Sequence, residues 1–383
     1  MDFALDENHQ AWVKEIREFL RAEFDGEAEE ESRRRGGESS GPVLRKFRAK
    51  MAERGWLALT WPVEYGGSGR TTFEQFLLMD EFAYWGAPAI DLTASAVAPT
   101  IMRYGTDAQK ARWLPAILSG EVECAIGYSE PDAGSDLASL RTSARRDGDA
   151  WVINGEKLWN TGAEFATHEW LVVRTDPDAP KHKGLSVFMV PINAPGVTVQ
   201  PILTWAGIRT NAVHFADVRV DADALIGAEN DGWRYLTTAL DFERVSIGVT
   251  GGLRRLYDET LRVVTTDDID VRRRLAELQA EIEGARLLNY RAAWMVDQGL
   301  MPSAEGSMTK VVTTELQAEL AAAVLDITGA DPGDPGAGEP FAVTLALHMY
   351  RQAPYLRFGG GTNEIQRDII AQRGLGLPRG ASR

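Results

Sequence analysis

Tyr128-Ser129-Glu130-Pro131-Asp132-Ala133-Gly134-Ser135-Asp136 marks the place where the chain changes character. Before it, apolar residues recur with helical spacing; after it, they alternate as the two faces of a strand require. At the start of the chain, Trp12, Ile16, Phe19 and Leu20 fall at i, i+4, i+7 and i+8 and draw one stripe on an opening helix that stops near Gly26. Thr71 with Glu74, and Thr106 with Gln109, have capping-box spacing ahead of apolar-periodic runs, which predicts two more helices.

On the other side, Asp147-Gly148 separates Leu140 to Arg146 from Ala150 to Ile153 as a hairpin turn would. The segments Trp170 to Arg174, Leu185 to Val190, Val197 to Leu203 and Val213 to Val220 continue the period of two, so a mostly antiparallel sheet is expected. After Gly232 the helical period returns. Leu275, Leu278 and Ile282 form one stripe and Leu316, Leu320 and Val324 another, as bundle helices do. Two interruptions, Glu31 to Pro42 and Asp331 to Pro340, read as loops. The first carries Arg33 to Arg35, for which a basic docking patch is the alternative to a solvated connection. The expected organisation is α+β: an N-terminal helical domain (1–120), a central antiparallel β domain (121–228) and a C-terminal four-helix bundle (229–383).

Composition narrows the function. A chain of 383 residues with 44% hydrophobic residues can bury two to three cores, and a net charge of −15 opposes nucleic-acid backbones. The acidic start, Met1 to Gln10, lacks the basic and apolar segments of a signal peptide, and no apolar run reaches membrane-spanning length, so the expected compartment is the cytoplasm. The single cysteine, Cys124, permits no intramolecular disulfide, and the five histidines show no metal-binding spacing, so no metal is expected. A phosphate-binding loop, a Gly-x-Gly-x-x-Gly turn and a nucleophile elbow are all missing, which removes nucleotide hydrolysis, nicotinamide binding and serine-hydrolase chemistry.

Three stretches carry a resemblance. Tyr128 to Asp136, then Trp151-Val152-Ile153-Asn154-Gly155-Glu156-Lys157 with Leu158-Trp159-Asn160-Thr161-Gly162, and finally Gly361-Thr362-Asn363-Glu364-Ile365-Gln366-Arg367 occur in the order found in acyl-CoA dehydrogenases, which the sequence resembles over essentially its whole length. The resemblance implies that fold, FAD as cofactor, and the introduction of an α,β double bond into an acyl-CoA. In that chemistry a base takes the α-proton, the β-hydride goes to the flavin, and the thioester oxygen is held by a flavin hydroxyl and a backbone N–H. It further implies that Tyr128, Ser129, Trp159, Thr161, Thr362 and Glu364 bind the flavin. Gly134 and Ser135 would shape the loop between flavin and CoA, with Ser135 and Arg244 toward the substrate. Electron-transferring flavoprotein would be the acceptor.

The sequence departs from the family at two places. Many members carry the base as Glu immediately before the Gly-Thr of the last motif, where this chain has Gly360, which retains only an N–H for the thioester oxygen. Another branch, similar to isovaleryl-CoA dehydrogenase, carries the base on a bundle helix in a Leu-x-x-Glu-Arg context. Leu240-Asp241-Phe242-Glu243-Arg244 matches it, so Glu243 is the expected base. The Arg-x-x-Phe-Gly and Gln-x-x-Gly-Gly segments that grip the adenine end in homotetramers are absent; Asp326-Ile327-Thr328-Gly329-Ala330 stands where the second should be. A heterotetramer with a related subunit, as in bacterial sterol side-chain dehydrogenases, is therefore expected beside the alternative of a homotetramer using Arg272, Arg273 or Arg274. An oxidase or monooxygenase of the same fold, a dehydrogenase of carrier-protein-bound acyl groups, and a non-catalytic partner subunit are the other functions open to such a chain.

Overall fold

The computed structural model describes residues 4–34, 41–88, 91–247, 249–331, 333 and 338–378, with the backbone alone at 241–247. Most of the Arg35 to Pro42 part of the first expected loop, and 332 and 334–337 of the second, lie outside the described residues. Helices α1 (Glu7–Glu23), α2 (Gly26–Arg34), α3 (Pro42–Glu53), α4 (Thr72–Trp85), α5 (Ala98–Tyr104) and α6 (Asp107–Leu118) come first. Strands β1 (Cys124–Gly127), β2 (Ser143–Asp147), β3 (Ala150–Leu158), β4 (His168–Arg174), β5 (Leu185–Pro191), β6 (Val197–Leu203), β7 (Arg209–Asp221) and β8 (Leu225–Ile226) follow. Helices α7 (Gly232–Ile247), α8 (Gly251–Val263), α9 (Ile269–Asp297), α10 (Ser303–Thr328), α11 (Phe341–Leu356) and α12 (Asn363–Ile369) complete the order. The chain forms two compact units, one of Met1–Asp25, Thr71–Ala89 and Arg244–Arg383, the other of Gly26–Arg70 and Ile90–Glu243.

In the first unit, α1 begins where the Asp6 side chain accepts the His9 N–H, and it buries the stripe Trp12, Ile16, Phe19 and Leu20. α4 starts at the expected capping box, with both hydrogen bonds between Thr71 and Glu74 formed. Asp80 on α4 accepts from the Thr250 N–H at 2.8 Å and from Arg254 at 2.7 Å, which fixes the start of α8. Gly251 is required there: a Cβ would stand 1.9 Å from the Asp80 carbonyl oxygen. Helices α8 to α11 share one core in which Leu256, Leu278, Leu320 and Ala346 are fully buried. Leu275, Ile282, Leu316 and Val324 from the two expected stripes lie in the same core.

In the second unit, the sheet order is β6-β7-β3-β2-β4-β5-β8, with β1 paired parallel to β4 beside this path. The expected hairpin pairs Asp147 with Ala150, and Gly148 takes the left-handed conformation (φ +62°) that the tight turn needs. Apart from β1 and one bridge between β2 and β4, the ladders are antiparallel. The capping box at Thr106 and Gln109 starts α6 as expected.

One expectation is corrected. Glu31 to Arg34 is not loop but the end of α2, whose buried residues are Ala28 and Ser32, so no apolar stripe announces it. Glu30 pairs with Arg33 and, at 2.8 Å, with Arg34, which neutralises two of the three arginines considered as a docking patch. Glu31 accepts the N–H groups of Val43 and Leu44 at 2.8 Å each, capping α3, whose own Gly41 has no side chain to do so. Among the described residues no helix is long and apolar enough to cross a membrane.

Candidate functional site

The first two motif stretches meet in the second unit. The sheet opens at Cys124, one element before the Tyr128 to Asp136 stretch, which is a loop closed by a bridge between Glu130 and Ala133. The buried Lys157 ammonium donates to the Tyr128 carbonyl at 3.0 Å and to the Glu130 carboxylate at 2.8 Å. Glu130 also accepts the N–H groups of Arg141 at 2.6 Å and Thr142 at 2.9 Å. Burial lowers the Lys157 amine to about 8 against the pull of the carboxylate. Burial raises the Glu130 carboxyl, but the lysine charge and the hydrogen bonds outweigh it and leave the group below its usual value. With the Leu158 N–H on the Ser129 carbonyl at 2.9 Å, the end of β3 is locked to the loop after β1.

Immediately beyond this lock, Trp159 takes a left-handed backbone (φ +67°), uncommon for a bulky residue, and leaves its ring 58% exposed. Asn160 holds the turn. Its side chain donates to the Ile126 carbonyl at 2.9 Å and to Glu169, and its own carbonyl accepts from Asn211 at 2.9 Å. The Thr161 hydroxyl lies 3.1 Å from that of Thr210, and the Tyr128 hydroxyl accepts from the Trp170 indole at 3.2 Å. Glu169 is wholly buried, one of its oxygens has no partner among the described residues, and burial raises its carboxyl to about 8. Gly134 and Ser135 are exposed on the loop, and a Cβ at Gly134 would meet no protein atom within 4 Å, so internal packing does not demand a glycine there. Next to Thr161 opens a cavity of about 600 Å³, rimmed by Glu27, Glu30, Glu31 and Glu164 against Arg34 and Arg209, a balance that disfavours a phosphate.

The third motif lies in the first unit, where it spans the end of the α11–α12 turn and the first residues of α12. Gly360 (φ +66°) and Gly361 (φ +90°) are both left-handed, and Thr362 caps α12 by accepting the Ile365 N–H at 3.2 Å. Its hydroxyl therefore has a structural partner, while Glu364 is exposed in the first turn of α12. Leu240 to Arg244 is helical within α7; the side chains of Glu243 and Arg244 lie outside the described residues. Asp326 is exposed near the end of α10. Arg273 pairs with Asp270 at 3.0 Å and Arg274 with Glu319, so both already face carboxylates of their own bundle.

The sequence reading missed Glu130, Lys157, Asn160 and Glu169. No alternation announces Lys157: the pairing of β3 shifts register between Ile153 and Gly155, and Gly155 two residues before it is exposed.

Residues 6–121, 125–219 and 230–375 match, in that order, the N-terminal, middle and C-terminal domains of acyl-CoA dehydrogenase. The chain belongs to the acyl-CoA dehydrogenase family. It has that family's three-domain fold, and the family consists of FAD-dependent oxidoreductases. Acyl-CoA dehydrogenase FadE26 of Mycobacterium tuberculosis is 42% identical over 360 residues, covering 88% of this chain and 89% of the relative. FadE29 of the same organism is 40% identical, covering 88% and 90%. Among solved structures, the Tcur3481-Tcur3483 steroid ACAD superposes with a TM-score of 0.92 at 38% identity, covering 99% of this chain and all of that one. The ChsE4-ChsE5 complex from Mycobacterium tuberculosis does so with a TM-score of 0.90 at 39% identity, covering 99% and 100%. The residues present fit a flavin: an exposed ring kept under backbone strain, a hydroxyl at Thr161, and open space where a side chain at Gly134 would stand.

Proposed function

We propose that this chain is the flavin-ring-binding and base-carrying subunit of a heteromeric acyl-CoA dehydrogenase acting on the CoA thioester of a bulky, steroid-like acyl group. The observation that carries this reading is Trp159, a large exposed ring held in a left-handed backbone by a hydrogen-bonded frame anchored on the buried Lys157 and Asn160. Such strain persists where a side chain is needed in that place.

Bound FAD supplies the acceptor for the β-hydride. Trp159 and Thr161 would hold its ring together with Tyr128 and Ser129, Thr362 and Glu364 would be further ligands, and Gly134 would leave the backbone room beside it. Glu243 takes the α-proton, and Ser135 and Arg244 steady the thioester. As the proton leaves, negative charge grows on the thioester oxygen, which the N–H of Gly360 meets without reorganisation. Gly360 leaves free the space that a glutamate fills in many relatives, which suits a wide acyl group. Two observations support a related partner subunit: the adenine-end segments are missing from this sequence, and the two structural relatives above are each named for a pair of components. An electron-transferring flavoprotein in the cytoplasm would be the electron acceptor.

Glu243→Gln tests the reading. The variant should retain flavin but lose substrate-dependent bleaching by about a thousandfold, the loss expected of a general base. Full turnover would end the assignment of Glu243, and one FAD per chain in a homotetramer of this chain alone would end the heteromer.

A further inference from the structure

Lys310, in the first half of α10, is fully buried without a carboxylate in hydrogen-bond contact. Its ammonium donates to the carbonyls of Arg357 at 3.0 Å and Gly361 at 2.9 Å and to the Asn363 side-chain oxygen at 2.6 Å. Three donors thus meet three acceptors, two on the segment joining α11 to α12 and one on the first residue of α12. Two acids act on it through charge alone: Glu364, exposed in the first turn of α12, and Glu315, which is taken up by Arg367 at 2.8 Å and Asn363 at 3.1 Å. A second buried side chain works beside the lysine: Gln366 donates to the Gly360 carbonyl at 2.9 Å and accepts from the Ser307 hydroxyl at 2.7 Å.

The carbonyls of residues 357, 360 and 361 are therefore all drawn to one side, against α10 and α12. In a planar trans peptide the N–H points opposite to the C=O. Drawing the Gly360 carbonyl inward consequently faces the Gly361 N–H outward. Among the described residues, the N–H groups of Gly360 and Gly361 have no backbone acceptor. Two left-handed residues in succession are what permit this arrangement, and only glycine takes both cheaply.

We propose that Lys310 and Gln366 are positioning residues for the dehydrogenation: Gln366, on the Gly360 carbonyl, turns the Gly361 N–H outward beside that of Gly360, and Lys310, on the flanking Arg357 and Gly361 carbonyls, fixes the turn in which both face the thioester carbonyl oxygen. This rests on reading the turn as the oxygen-binding element. A buried amine serves where a carboxylate could not, because carbonyls have to be attracted. A lysine does so through three separate hydrogen bonds at once.

The test uses the flavin-loaded enzyme, with its related subunit where one co-purifies, in the Glu243→Gln background so that the thioester is not consumed. The probes are cholanoyl-CoA and the thioether cholanyl-CoA, which differ only in the carbonyl oxygen; butyryl-CoA and S-butyl-CoA replace them if the steroid pair does not bind. Calorimetry gives Kd for each. Without further substitution the thioester should bind about 10- to 100-fold tighter, the value of a satisfied buried hydrogen bond. Lys310→Met and Gln366→Leu should each reduce that preference to about threefold or less, with thioether affinity and the bound flavin's visible spectrum unchanged. A preference kept in full by the variants overturns the proposal, as does an equal weakening of both probes, which marks a merely structural role. If Lys310→Met does not fold, Gln366→Leu decides alone. Absence of any preference in the parent overturns the oxygen-site reading itself, and the positioning roles fall with it.

Discussion

Two turns, one in each unit, reach a left-handed backbone by different means. At 157–161 the residue is Trp159, and at 359–362 the residues are Gly360 and Gly361. For a tryptophan the conformation costs about 1–3 kcal/mol, whereas glycine adopts it freely. Strain retained for an exposed ring marks the side chain as the useful part. Glycines with their carbonyls turned inward mark the backbone as the useful part. Each turn also rests on a buried lysine, and here too they differ: Lys157 meets the Glu130 carboxylate, Lys310 only uncharged oxygens.

The largest effect should come from breaking the charged version. Glu130→Leu leaves Lys157 buried with an uncompensated charge and two backbone N–H groups unpaired, and should destabilise the protein by about 3–5 kcal/mol. For a unit of this size that lowers Tm by about 10 °C. Adding Lys157→Met should recover the part of the loss that comes from the uncompensated charge, while the Arg141 and Thr142 N–H groups stay unpaired. Lys310→Met removes the charge along with the bonds and should cost less, about 1–3 kcal/mol. Equal losses for Glu130→Leu and Lys310→Met would erase the distinction between the two supports.

Protonation separates the units next. Burial lowers Lys310 from 10.5 to about 8, so between these values the folded chain binds fewer protons than the unfolded chain, and stability rises with pH. That contribution is complete above 10.5 and is lost as pH falls through 8. Lys157 adds a slope of the same sign in the other unit. Glu169 does the reverse: its carboxyl is raised from 4.5 to about 8, so stability is fully present below 4.5 and is lost as pH rises through 8. Denaturation midpoints across pH should therefore lose their fall between 4.5 and 8 in Glu169→Gln, and part of their rise between 8 and 10.5 in Lys310→Met. At about 1.4 kcal/mol per pKa unit, the change is at most about 5 kcal/mol for Glu169 and about 3 kcal/mol for Lys310. An unchanged alkaline slope in Lys310→Met would show that the amine stays charged in the fold.

What was legible in the sequence follows the same division between outward and inward polarity. Capping boxes and apolar stripes identified α1, α4, α6, α9 and α10 because each buries an apolar face or closes its own first turn. Helix α2 escaped because Gly26 to Arg34 is polar nearly all round and is held by Glu30 and Glu31 through ion pairs and a neighbouring cap. Ser307, Lys310 and Thr314 occupy i, i+3 and i+7 of α10 and look like a solvated stripe, yet all three are buried because they face carbonyls of the α11–α12 turn and amide side chains of α12. Periodicity reports hydrophobicity, and a buried polar stripe carries no such signal. The motif residues were legible only as a resemblance; that Trp159 is strained and Thr362 is a cap is geometry no spacing displays.

The smallest effect is the sharpest comparison. Trp159→Gly removes a ring that is already 58% exposed, so little packing is lost, and it relieves the left-handed strain. The relief, about 1–3 kcal/mol, is partly offset by about 0.5–1 kcal/mol of extra backbone entropy in the unfolded chain. The flavin-free protein should therefore become more stable by about 1 kcal/mol while its flavin content falls. Gly360→Ala should do the opposite to stability, losing about 1 kcal/mol at the other turn, because it introduces the clash that Trp159 already bears. Thermal melts of the flavin-free variants read both signs directly. If Trp159→Gly melted lower than the parent, the tryptophan would be holding its own turn together, and the strain would no longer point to a ligand.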